Sequence, residues 1–114
     1  MKYIYISGPV TGLDYDEAKK AFDDAEEAIR WKYGREVEVI NPMSFCNKGE
    51  DWNHAMRKCI VQLMECNYIH MLPGSCRSKG ALLELQIAEK LHFGVCNDMY
   101  DLLDFGEYEI LRGA

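Results

Sequence analysis

The sequence carries no surplus of basic charge. Thirteen lysines and arginines stand against 19 aspartates and glutamates, a formal net charge of −6 over 114 residues. A nucleic-acid duplex or an anionic membrane favours a basic surface, so neither is expected as a partner. A small phosphate stays open, because it needs only a local nest of donors. No run of about 18 apolar residues occurs, which argues against a helical membrane span. The start Met1-Lys2-Tyr3-Ile4-Tyr5 leads straight into a strand pattern and not into a signal peptide. Five cysteines are present (Cys46, Cys59, Cys66, Cys76 and Cys96), without a C-x-x-C pair or the Cys/His spacing of a zinc site. Their odd number fits free thiols in a reducing cytoplasm, and no metal or organic cofactor is expected. Internal repeats, low-complexity tracts and linkers are also missing, so residues 1–114 read as one domain. Hydrophobic residues at 48% and charged residues at 28% are ordinary for a globular chain long enough to form a core.

What is present is an alternation of strand and helix patterns. Lys2–Ser7, rich in Tyr and Ile, reads as a buried first strand. It runs into Ser7-Gly8-Pro9-Val10-Thr11-Gly12, a loop whose glycines let the backbone approach a ligand. Asp14 and Glu17 have the spacing of a capping box at a helix start. That helix presents Ala18, Ala21, Phe22, Ala25, Ala28 and Ile29 inward. Outside, Asp16 with Lys20 and Glu26 with Arg30 form i,i+4 pairs on a solvated face, and Gly34 suits the C-terminal cap. Glu36–Ile40 is a short strand stopped by Asn41-Pro42, and a loop continues to Asp51. A helix from Trp52 to Cys66 buries Ala55, Met56, Cys59, Ile60 and Leu63. Asn67–Leu72 is the next strand, Phe93–Cys96 a fourth. Beyond Asn97 the pattern is mixed: Met99–Phe105 suggests a short helix, and Tyr108–Leu111 a fifth strand or an arm.

The segment between the third and fourth strands carries an anomaly. On a helical wheel beginning near Ser78, Gly80, Ala81, Ile87, Ala88 and Leu91 share one side, opposite Lys79, Gln86 and Lys90. Glu84 falls in the middle of that apolar side. An unpaired buried carboxylate costs several kcal/mol when ionised. Glu84 is therefore either a buried residue with a structural partner or a functional carboxylate. Helical side chains lean toward the N-terminus, so Glu84 lies over Gly80 and Ala81. Those small residues leave space beside it, near the free N–H groups of the helix start.

Alternating strands and helices predict an α/β domain, a parallel sheet covered on both faces. Right-handed crossovers in a chain this short favour a flavodoxin-like order 2-1-3-4, with a possible fifth strand. The crevice at the ends of strands 1 and 3 then receives both the Ser7–Gly12 and the Pro73–Gly80 loops. Ligands bind at such a switch point.

Three motifs in order add a resemblance: Tyr5-Ile6-Ser7-Gly8-Pro9-Val10-Thr11-Gly12, Asn41-Pro42, and Leu72-Pro73-Gly74 followed by Ser78-x-Gly80-x-x-x-Glu84. Over about Met1–Cys96 the chain resembles the nucleoside 2-deoxyribosyltransferase-like superfamily, in particular a branch of small proteins with a "YIAGPMTG" start. The resemblance implies cleavage of the N-glycosidic bond of a deoxynucleoside or its 5′-monophosphate. Glu84 would attack the anomeric carbon, and water or a second base would resolve the glycosyl ester. It also implies a substrate-binding set of Tyr5, Ser7, Gly8 and Pro9 from the first strand and loop, with Ser78 and Gly80 at the sugar's 5′ end. A homo-oligomer is implied as well, whose tail completes a neighbour's site.

Three positions depart from the family pattern. Its second carboxylate lies eight residues before the third strand's first residue, and counting back from Asn67 reaches Cys59. Asn67 stands where relatives often have Asp. Thr11 stands where nucleotide hydrolases place a phosphate-holding Arg; Arg77 or Lys79 is either a substitute or a solvated cation. Asp51, Glu50 and His54 are candidate proton donors to the leaving base, as are Glu107 or Glu109 of a neighbour. Cys59 reads as a buried filler, His70 as a core histidine, and His92 as a helix-end residue. Trp31 and Trp52 read as packing or interface residues. A non-catalytic nucleotide-binding module, its second acid replaced by Cys59, is the alternative to an enzyme. A redox flavodoxin fits less well, because Gly8-Pro9-Val10 offers few phosphate donors. A phosphoacceptor receiver lacks its acidic pair.

Overall fold

A computed structural model describes residues 1–113. The chain alternates β1 (Lys2–Ser7), α1 (Tyr15–Tyr33), β2 (Val37–Ile40), α2 (Trp52–Leu63), β3 (Tyr68–Met71), α3 (Lys79–Lys90) and β4 (Gly94–Cys96). A two-residue strand β5 (Leu102–Leu103) and a helix α4 (Phe105–Gly113) complete it. The sheet order is β2-β1-β3-β4-β5, parallel except for the antiparallel β4–β5 pair. This is the flavodoxin-like α/β arrangement expected from the alternation.

Strand alternation divides the core into two layers. Ile4 and Ile6 of β1 point to one face, where they meet Ala18, Phe22, Ala25 and Ile29 of α1. Tyr5 points to the other, where Cys59 and Leu63 of α2 and Ala88 of α3 lie. Ser7, two residues beyond Tyr5, shares its face because side chains repeat every second residue. Burial of Phe22 or Ile29 contributes about 1.5–3 kcal/mol each.

Most local signals hold, with corrections where a neighbour competes. Asp14 accepts the Glu17 N–H at 3.0 Å, and Gly34 ends α1 at φ 57°. Ala21, expected inside, is exposed, and Ala28 is half-buried; the inner stripe is the strict 18, 22, 25, 29 series. Lys20 pairs with Asp24 at 2.6 Å and not with Asp16, whereas Arg30 does meet Glu26 at 2.8 Å. Glu36 belongs to a 3₁₀ turn before β2, and α2 stops at Leu63, three residues early. Leu91, expected on the apolar stripe of α3, is 56% exposed because the helix ends at Lys90.

The tail departs most. Met99–Phe105 is not a helix. Asn97 Oδ1 accepts the N–H groups of Met99 and Asp101, both at 2.9 Å, and turns the chain back as β5. Tyr108–Leu111 is neither strand nor arm but part of α4. Its start carries the same D-x-x-E spacing as Asp14–Glu17: Glu107 Oε1 accepts the Asp104 N–H at 3.2 Å. The tail is tied to the sheet by Tyr68, whose hydroxyl donates to Asp104 at 2.5 Å.

Candidate active site

Glu84 is 5% exposed, and its carboxylate is held by two hydroxyls from β1. Tyr5 Oη donates to Oε2 at 2.6 Å, and Ser7 Oγ donates to Oε1 at 2.7 Å. The same-face repeat of β1 supplies both donors, and α3 brings the acceptor down onto them. Burial pushes the Glu84 carboxyl above its ordinary pKa, while the Ser7 and Tyr5 hydrogen bonds pull it back. Burial first, then the neighbouring Glu84 charge, holds Tyr5 well above the ordinary phenol range. Each carboxylate oxygen accepts one bond from these hydroxyls, so lone pairs remain for a ligand.

Glu84 lines a cavity of about 620 Å³. That is within the range of small-molecule sites, roughly 300–1,000 Å³. Its wall is built from the loop after β1, the segment after β2 and the starts of α2 and α3; of the Pro73–Gly80 loop expected there, only Ser78 and Gly80 line it. Tyr5, Gly8, Ser78, Gly80 and Glu84 all contribute to its wall, whereas Ser7 and Pro9 do not. Ser7 is fully buried beneath Glu84. Pro9 lies against Gly74 of the facing loop, where the chain turns with φ 86°.

Two of the cavity glycines, Gly8 and Gly80, have a steric reason. A Cβ at Gly8 would stand 2.8 Å from Cβ of Leu72, so β1 can close on β3 only without it. A Cβ at Gly80 would stand 3.0 Å from Met56 Sδ and would project between α3 and α2. Ser78 caps α3, its Oγ accepting the Ala81 N–H at 3.1 Å. The small residue at 80 thus lets Met56 and Trp52 of α2 approach α3, and Gly80 and Ala81 line the cavity together with Glu84.

The rest of the wall was not legible from periodicity. The segment after Asn41-Pro42 folds over the cavity and contributes Met43, Cys46, Asn47, Lys48 and Glu50. Asn41 starts this path: its Oδ1 accepts the Met43 N–H at 3.0 Å, while its amide donates to Asp23 and Glu26. The Asn-Pro pair signalled a turn, but nothing local told where the next nine residues would pack. Trp52 also lines the cavity, with Lys79 Nζ 4.1 Å from its ring centroid, while Trp31 is 90% exposed.

The candidate acids separate clearly. Cys59 stands beside the Tyr5 hydroxyl, and burial raises its thiol pKa to about 12. Glu50 is held by Lys58 at 2.7 Å, which keeps its carboxyl below the ordinary range. Asp51 caps α2 through the His54 N–H at 3.1 Å, and neither Asp51 nor His54 lines the cavity. Glu107 and Glu109 lie on α4 and also do not line it. Asn67 supports the sheet, its Oδ1 accepting the Tyr3 N–H at 3.0 Å. His70 is a buried core histidine whose Nδ1 lies 2.8 Å from the Cys96 carbonyl oxygen, and His92 stacks on Phe105. Among the described residues no group of three His, Cys, Asp or Glu side chains is gathered to hold a metal. No helix among them is long and apolar enough to cross a membrane.

The fold matches that of a solved 2-desoxiribosyltransferase from Leishmania mexicana, with a TM-score of 0.57 and 20% identity. The match covers 94% of this chain and 81% of that one. At this identity the likeness is one of fold. No curated protein matches the sequence. A family model described as a domain of unknown function, DUF4406, matches residues 2–97, and the chain belongs to that family.

Proposed function

We propose that residues 1–114 act as one nucleoside deoxyribosyltransferase-like domain that cleaves the N-glycosidic bond of a deoxynucleoside or its 5′-monophosphate. The observation that carries this reading is Glu84, a carboxylate on the cavity wall fixed by Tyr5 and Ser7. A nucleophile needs a fixed direction and an ionised form; the two hydroxyls fix the direction and offset part of the burial that disfavours ionisation. Glu84 attacks the anomeric carbon, the bond to the base breaks, and a glycosyl ester forms. Water or an acceptor base then releases the sugar from Glu84. Tyr5, Gly8, Ser78 and Gly80 contact the substrate, and Ser7 orients Glu84 from below, with Pro9 shaping the loop. The chain assembles as a homo-oligomer in the cytoplasm and uses no cofactor.

The leaving base needs a proton, and Cys59, with its thiol near 12, is a poor acid at neutral pH. That favours, as a second reading, a module that binds the nucleotide without cleaving it. Incubation with a panel of deoxynucleosides and their monophosphates, followed by chromatography for free base, separates the two. Base release that disappears in Glu84→Gln supports the enzyme. Saturable binding without base release, in the presence and absence of acceptor bases, supports the binding module and overturns the first reading.

A further inference from the structure

Cys46 and Cys59 carry a feature that the glycosyl chemistry does not use. Their Sγ atoms lie 3.6 Å apart, although the residues are 13 positions apart in the chain. Both line the cavity; Cys46 is half-buried and Cys59 is buried. Cys46 is held in place from several directions. Its N–H donates to the Pro42 carbonyl at 2.9 Å, and its own carbonyl accepts from the Tyr15 hydroxyl at 3.3 Å. Lys58 Nζ donates to the adjacent Phe45 carbonyl at 2.8 Å. Cys59 is carried by α2, one residue beyond Lys58. The two thiols are thus presented to each other by a braced loop and a helix.

We propose that Cys46 and Cys59 are a modification site, forming a reversible intramolecular disulfide in the cavity wall by exchange with small-molecule disulfides. Bond formation brings the sulfurs from 3.6 Å to ~2.05 Å. Cys46 lies outside regular secondary structure and is the more accessible of the two, so it reacts first. Its thiolate attacks one sulfur of R–S–S–R, the S–S bond breaks, and RS⁻ leaves and takes up a proton. Cys59 then attacks Cys46 Sγ and expels the second RS⁻, which is also protonated. In total the protein loses two protons and two electrons, and one R–S–S–R becomes two R–SH.

The surroundings set the rate and the persistence of this bond. Burial raises both thiols; the hydrogen bond with Cys59 and the Lys58 charge favour a Cys46 thiolate, while Glu50 and Glu84 oppose it. Around Cys59, Glu84 and Cys46 act against the thiolate while the Tyr5 hydroxyl supports it. Exchange is therefore slow at neutral pH and accelerates with pH. The same raised thiols are poor leaving groups, so the disulfide, once formed, resists reversal by monothiols. The site does not depend on the proposed glycosyl chemistry.

The test uses glutathione disulfide on the folded chain in a Cys76→Ser background, which removes the exposed thiol. The expected product is about 2 Da lighter, with Cys46 and Cys59 in one cross-linked peptide and recovery by dithiothreitol. Its rate of formation rises about tenfold per pH unit between pH 7 and 9. Cys59→Ser should instead stop at a glutathione adduct on Cys46. If both thiols stay free at pH 9, or wild type retains the Cys46 adduct without a cross-link, the proposal is overturned.

Discussion

The Tyr5 hydroxyl donates to Glu84 Oε2 at 2.6 Å, joining β1 to α3 across 79 positions of sequence. With Ser7 on the second oxygen, this bond turns an apparently misplaced carboxylate into a fixed one. It also makes the ionisation of Glu84 depend on β1, and several outcomes follow from that dependence.

Replacing Glu84 by Gln removes the nucleophile and leaves a side chain of the same size between the same hydroxyls. Base release should fall by about 10³-fold or more. Circular dichroism should be unchanged.

Tyr5→Phe removes a donor to the carboxylate form, so the Glu84 pKa rises further above its ordinary 4.5. A lost hydrogen bond to a charged group is worth about 1.5–3 kcal/mol, or about 1–2 pH units. The acid limb of the pH–rate profile should move up by that amount, and Ser7→Ala should move it in the same direction. An unmoved limb in both variants would exclude the hydroxyls as the groups that hold Glu84 ionised.

Stability should carry the same signature. A carboxyl whose folded pKa is raised binds protons more readily in the native state, so its contribution is full below the ordinary 4.5 and declines as pH rises through the folded value. Glu84→Gln has no such titration. The difference in unfolding free energy between Gln variant and wild type should therefore grow from about pH 4.5 upward and then level off, as measured by urea titration.

His70 has the opposite sign. Burial lowers its pKa below the ordinary 6.5, so the native state resists its protonation. Its contribution is full above 6.5 and is lost as pH falls toward and through the folded value. Wild type should lose stability relative to His70→Gln between pH 7 and 5, read from urea midpoints at each pH.

Three glycine-to-alanine substitutions should rank by the space they meet. Gly94→Ala places a Cβ 2.5 Å from the Tyr68 ring and 2.6 Å from the Leu103 carbonyl oxygen, between two strands. Gly8→Ala meets Leu72 Cβ at 2.8 Å, and Gly80→Ala meets the movable Met56 Sδ at 3.0 Å. Overpacking costs about 1–3 kcal/mol. The unfolding midpoint should fall most for Gly94→Ala and least for Gly80→Ala.

The order of strands and helices was legible because strands and helices repeat at different periods and their caps are local. Asp14–Glu17, Gly34 and Ser78 mark helix ends with side-chain and backbone chemistry within four residues. The same D-x-x-E spacing at Asp104–Glu107 marks α4, there with the Glu side chain accepting the Asp N–H, although apolar residues suggested a strand. Glu84 was conspicuous for a related reason: a carboxylate on an apolar stripe violates the period. The partners of that carboxylate are not local. Tyr5 and Ser7 reach Glu84 only after β1 pairs with β3 and α3 packs across them, and a carboxylate cannot signal which distant hydroxyl will meet it. The loop carrying Cys46 onto Cys59 has no period, so its path follows from packing against α1 and α2. Sequence alone determined the order of the four parallel strands, both ends of α1, the start of α3 and the anomaly at residue 84. The tertiary structure decided which groups hold Glu84, which surfaces enclose it and which thiols meet, because those depend on contacts between residues far apart in the chain.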